Sequence, residues 1–109
     1  MFMYIVETIV CSGKKGKDAR LRRKLQARQE FKRRQDGCIA AWIGTGKQDS
    51  RMFLVQSVFT SLNVWKKVSD EISNTLDKQD GGLEGLMIGP PLVGMFEIAP
   101  GDLNFMNSQ

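Results

Sequence analysis

The chain has 109 residues, 41% of them apolar and 26% charged, with 16 Lys and Arg against 12 Asp and Glu. That suits one globular domain around a single core. Histidine is absent and the only cysteines are Cys11 and Cys38, which excludes a Ser-His-Asp triad, a Cys-His nucleophile pair and a zinc site of the usual Cys/His kind. No metal site is expected. The N-terminal apolar run has no basic leader and is interrupted by Glu7. Neither a signal segment nor a membrane span is therefore expected, and the expected compartment is the cytoplasm.

Phe2–Cys11 reads as a first strand, with Met3, Ile5, Glu7, Ile9 and Cys11 on one face and Phe2, Tyr4, Val6, Thr8 and Val10 on the other. A helix is predicted from about Lys17 to Gln35. Gly13 and Gly16 loosen its start, and Asp36-Gly37 supplies a left-handed stop. Its apolar stripe is thin: Leu21, Leu25 and Phe31, with Ala27 beside them. Cys38–Thr45 and Arg51–Thr60 are two further strands around the turn-rich segment 46–50. The latter has Met52, Leu54, Gln56 and Val58 on one side and Phe53, Val55, Ser57 and Phe59 on the other.

A second helix starts near Leu62 with Ser61 as N-cap, carries Leu62, Trp65, Val68 and Ile72 at helical spacing, and fades over Asn74–Asp77. Residues 79–82 read as a loop, and Gly89-Pro90-Pro91 forces an extended lead into a last strand, Leu92–Ile98. Residues 101–109 read as a polar tail. The order of elements predicts an α+β, ferredoxin-like βαββαβ sandwich over residues 1–100, with a four-stranded antiparallel sheet and two helices on one face.

Both faces of the first and third strands are mainly apolar, whereas the helices of such a sandwich cover only one. A second copy of the chain is the expected cover, making a homodimer. In this topology Cys11 ends one strand and Cys38 begins a parallel, non-adjacent one, so no disulfide is expected.

Eleven of the sixteen basic residues fall between Lys14 and Arg34, with only Asp18 and Glu30 among them. They form either a solvated outer face or a nucleic-acid- or anionic-surface-binding helix over residues 14–34. The RNA recognition motif shares this strand order, but Arg51–Val58 lacks the glycines and spaced aromatics of its third strand. Nucleic acid is accordingly the less favoured partner. The run Gly13–Lys17 matches no phosphate-loop spacing.

Three segments taken together carry a family resemblance: FMYIVETIV, Gln35-Asp36-Gly37 before CIAAWIGT, and RMFLVQSVFTSLNVWKKVSDEIS. Over residues 2–98 the chain resembles the antibiotic biosynthesis monooxygenases and related dimeric α+β barrel proteins. The resemblance implies a sheet that pairs with a second sheet to close a barrel, and a ligand site between sheet and helices in each subunit. It places Glu7 on the strand facing that site, and Phe59 and Trp65 among its aromatic lining. Trp42 and Phe53 are further aromatic candidates, and Ile5 and Leu25 complete the candidate lining; the alternative for all of these is plain core.

The haem-degrading branch uses a histidine ligand on the later helix, which this chain lacks. The expectation is therefore a protein that binds an apolar or aromatic small molecule, lipid- or polyketide-like, or a cofactor-free monooxygenase-like enzyme. Glu7 either orients that ligand or acts as a base, or else pairs with a Lys or Arg across the dimer. Gln56 and Ser57 are expected to make hydrogen bonds across the interface.

Overall fold

A computed structural model describes residues 2–107. Its elements are β1 (Tyr4–Ser12), α1 (Asp18–Arg33), β2 (Cys38–Thr45), β3 (Met52–Phe59), α2 (Leu62–Asn74), α3 (Leu76–Asp80) and β4 (Leu92–Ile98). The strands form one sheet in the order β2-β3-β1-β4, with every neighbouring pair antiparallel. This is the βαββαβ ferredoxin-like arrangement, with strand boundaries within two residues of those read from the sequence.

Local chemistry explains the element ends. Ser61 is extended (φ −158°, ψ 162°) and its hydroxyl accepts the Val64 N–H at 3.2 Å, which starts α2. Gly37 has φ +89°, and its carbonyl accepts the Thr60 N–H at 2.8 Å, tying the α1–β2 turn to the end of β3. A Cβ there would lie 2.8 Å from Val64 Cγ1. Gly37 is thus required both by its backbone angle and by the approach of α2.

The helices cover one sheet face in two clusters. Cys11, Leu21, Leu25, Phe53, Val55 and Leu86 make the first, at the C-terminal end of β1. Phe59, Val68 and Ile72, with Ile5, Phe31, Cys38, Val64, Trp65 and Leu76 packed against them, make the second. Cys11 and Cys38 are free and belong to different clusters.

Three features depart from the sequence expectation. A bulge between Cys38 and Ala40 shifts the β2 register, so Ala41 lies opposite Ser57 and Trp42 opposite Gln56. Simple alternation from Cys38 puts Trp42 beneath the helices; the extra residue moves it to the far face. Second, a helical turn resumes at Leu76–Asp80 and stops at Gly81 (φ +82°) where a loop was expected. Buried Arg28 on α1 explains it: its guanidinium donates to Asp77 Oδ1 at 2.6 Å and to Asp80 Oδ2 and Oδ1 at 2.8 and 3.0 Å. Third, Pro100–Asn107, in the segment read as a polar tail, turn as a 3-10 helix; Ser108 and Gln109 lie outside the described residues.

Asp80→Asn removes the charge that Arg28 pairs with and keeps the shape. At pH 7 it should lower the unfolding free energy by about 1–2 kcal/mol in urea denaturation. The hydrogen bonds from Arg28 hold the Asp80 carboxyl at about 2, against an ordinary 3.8. Folding therefore favours its ionised form, so the stabilisation is complete above roughly pH 4 and drains as pH falls towards 2. Wild-type stability should drop across that window by more than that of Asp80→Asn.

Candidate functional site

The register of β1 and β3 sets Glu7 opposite Ser57, both pointing into the layer between sheet and helices. A carboxylate in that layer needs partners, and α1 and α2 supply them. Lys32 Nζ donates to Glu7 Oε1 at 3.2 Å and to Ser57 Oγ at 3.0 Å. Trp65 Nε1 donates to Glu7 Oε2 at 2.9 Å. Glu7, Lys32 and Ser57 are all buried. The expected cross-dimer partner of Glu7 is thus replaced by a lysine of the same chain, which reaches from α1 past Ser57 of β3 to β1.

Gln29, one turn before Lys32, extends the network. Its Nε2 donates to the Trp42 and Gln56 carbonyls at 3.0 and 2.9 Å and lies 3.2 Å from Ser57 Oγ, while its buried Oε1 has no partner among the described residues. On the far face a separate chain links Trp42 Nε1 to Gln56 Oε1 (3.1 Å) and Gln56 Nε2 to Thr8 Oγ1 (3.2 Å). Ser57 and Gln56 therefore find their hydrogen bonds within this chain.

The residues proposed from the sequence fall into three places. Ile5, Glu7, Phe59 and Trp65 come together at one end of the helix-covered layer. Leu25 and Phe53 pack in the other cluster. Trp42 is on the opposite sheet face, so it cannot share a cavity with them. Phe53 and Phe59 are fully buried and fill space. The half-buried Trp65 is the aromatic that meets both the charged pair and the surface.

The sequence reading missed Gln29 and Lys32. A signal for them exists: Leu21, Leu25, Arg28 and Lys32 recur at helical spacing, so the inner stripe of α1 continues through polar residues. Other basic side chains of α1 are also spent inward or along the sheet. Lys24 holds the Asp80 and Gly82 carbonyls, Arg33 donates to the Ala41 carbonyl at 2.7 Å, and Arg22 reaches Thr45 Oγ1 and lies over the Phe53 ring. Burial pushes both thiols up, with Lys32 pulling Cys38 partway back; neither is an activated nucleophile.

Beside the Glu7–Trp65 contact the helices stop short of β4. Met95 stands opposite Glu7 and Val93 opposite Ile9, on the helix side of the sheet. Val93 is 58% exposed, and Met95 is exposed as well. An open apolar shelf of Val93 and Met95 results, one strand out from Ile9 and from Glu7, whose carboxylate Trp65 holds. Glu97, opposite Ile5, is exposed at its rim.

No protein-family model matches the sequence, and no curated protein does. Solved structures match closely in shape. A Nitrosomonas europaea protein classed with the antibiotic biosynthesis monooxygenases superposes with TM-score 0.76 at 16% identity, over 88% of this chain and 90% of that one. A conserved protein of Methanosarcina mazei gives 0.77 at 10% identity, over 90% and 95%. SnoaB of Streptomyces nogalater, a cofactor-independent oxygenase solved as its N63A mutant, gives 0.71 at 13% identity, over 85% and 90%. The fold is that of the antibiotic biosynthesis monooxygenases.

The charged pair sets a stability test. Lys32→Met strands a buried carboxylate and should cost about 3 kcal/mol in urea denaturation. Glu7→Gln/Lys32→Met should recover part of that loss. Simple additivity of the two single variants would show that the pair is not coupled.

Proposed function

We propose that the chain works as a homodimer that binds an apolar or aromatic small molecule, of lipid or polyketide type, on the shelf beside Glu7 and Trp65. The observation that carries this reading is β4, which is exposed on both faces. Leu92 and Phe96 on the far side are 75% and 56% exposed, and Val93 and Met95 on the helix side are also open. A strand bare on both sides suits one face packing on a second copy and the other receiving a ligand.

The far face continues from Leu92 across Val10 to the exposed Leu54; at its other end Phe96 is exposed, while Val6 and Val58 beside it are already buried within the chain. It is apolar over three strands, with the Thr8–Gln56–Trp42 chain as its polar centre. Such a face supports sheet-to-sheet packing between copies.

At the shelf the chemistry favours holding over turnover. Both oxygens of Glu7 are engaged, one by Lys32 and one by Trp65. The carboxylate fixes the indole, and the indole offers its ring to the ligand. Cofactor-independent oxygenation, the activity of SnoaB, is the second reading; it requires a ligand that itself gives the electrons to O2. Oxygen uptake with an electron-rich polyphenol distinguishes the two.

Sedimentation at micromolar concentration should show a species near twice 12.3 kDa, and Leu54→Lys should dissociate it without unfolding, since Leu54 is surface-exposed within one chain. A folded monomer of the wild-type chain overturns the dimer. A planar aromatic or a medium-chain fatty acid should change the tryptophan emission, and Trp65→Phe should remove most of that change. Trp42, on the far face, is the internal control: a signal that survives in Trp65→Phe puts the ligand elsewhere.

A further inference from the structure

Backbone pairing sets the most basic loop of the chain beside an exposed apolar side chain. Gly13 bridges Met87 in antiparallel fashion. The Lys14 N–H donates to the Leu86 carbonyl and the Ile88 N–H to the Ser12 carbonyl, each at 2.9 Å. Lys14, Lys15 and Lys17 are all exposed, and among the described residues their side chains make no hydrogen bond or ion pair. Arg20 adds a fourth exposed cation one turn into α1, and the acids nearby are Asp18, Glu84 and, in the cavity that Arg20 lines, the Arg28-paired Asp80. Ile88 is 57% exposed. It precedes Gly89 (φ +67°), Pro90 and Pro91, a segment with little backbone freedom to lose on binding.

We propose that this end of the molecule docks on an anionic lipid surface. Lysines on a short loop suit a diffuse layer of anionic headgroups, where each cation contributes about fivefold to partitioning. One apolar side chain beside them supplies the second, weaker signal that makes such binding specific yet reversible. A nucleic-acid phosphate backbone would use the lysines equally well, but it gives an exposed isoleucine nothing to bury. Base stacking would need aromatics by the loop, and residues 12–20 and 84–91 contain none. The inference is independent of the shelf and its ligand, because it uses neither Glu7 nor Trp65.

The test is co-sedimentation of the full chain with phosphatidylcholine vesicles, with and without phosphatidylserine. Binding should require phosphatidylserine and should fall away as salt rises towards about 0.5 M. Lys14→Glu with Lys15→Glu should lower partitioning by at least about tenfold. Ile88→Ser, which leaves the charge unchanged, should weaken it several-fold. All three residues are at the surface, so circular dichroism should match the wild type. Equal sedimentation with both vesicle types, or none with either at low salt, overturns the proposal. So does an unchanged Ile88→Ser protein that binds duplex DNA more tightly than vesicles, with a linear log–log salt dependence; that outcome assigns the loop to nucleic acid.

Discussion

Placing a charge between a sheet and its helices costs several kcal/mol unless a partner of opposite sign meets it with good geometry. The rest of this structure is arranged around one such pair. Glu7 comes from β1 and Lys32 from α1, and they meet 3.2 Å apart with Ser57 of β3 and Trp65 of α2 completing their hydrogen bonds. Four elements are thereby held in register by one polar centre, with an apolar cluster to either side of it. A purely hydrophobic layer would tolerate small slides of α1 along the sheet. A lysine that must reach both a carboxylate and a hydroxyl does not.

The fold was legible because period and punctuation agree. Short apolar runs between turn-rich segments mark β1 and β3, a serine cap and helical spacing mark α2, and glycine marks the end of α1. The polar centre was harder to read. Lys32 and Gln29 looked like part of a solvated basic helix, because net charge says nothing about which side of a helix a lysine occupies. The stripe of Leu21 and Leu25, extended by helical spacing to Arg28 and Lys32, carried that information. Trp42 was misplaced for a different reason. A bulge shifts every later residue of β2 to the other face, and no residue type around Ile39 announces it. The α3 turn depends on Arg28 reaching Asp77 and Asp80, about fifty positions away in sequence, which local propensity cannot reveal.

β4 ties the packing argument to the functional one. Its neighbour β1 is covered on the helix side by α1 and α2, but β4 is one strand further out and past the reach of both. That shortfall leaves Val93 and Met95 exposed on the helix side, while Leu92 and Phe96 lie on the face that no helix covers. If the far face is closed by a second copy, the helix side is left as the accessible apolar surface, and it runs directly up to the carboxylate and indole of the polar centre. The fold of the antibiotic biosynthesis monooxygenases thus occurs here in a chain without histidine, with the carboxylate of Glu7 met by Lys32 of the same chain.

The basic excess of the chain divides along α1 into two populations that composition cannot separate. Arg28 and Lys32 point inward and are structural, while Lys24, Arg33 and Arg22 fasten the helix to neighbouring loops and to β2. The loop before the helix is different. Lys14, Lys15 and Lys17 follow backbone pinned to Arg51 and to the segment leading into β4, and among the described residues their side chains satisfy nothing. Since a solvated cation gains little from folding, these lysines contribute little to the fold, and their placement beside Ile88 is best explained by something outside the molecule. That separates the five cations that fasten the helix from the three on the loop before it.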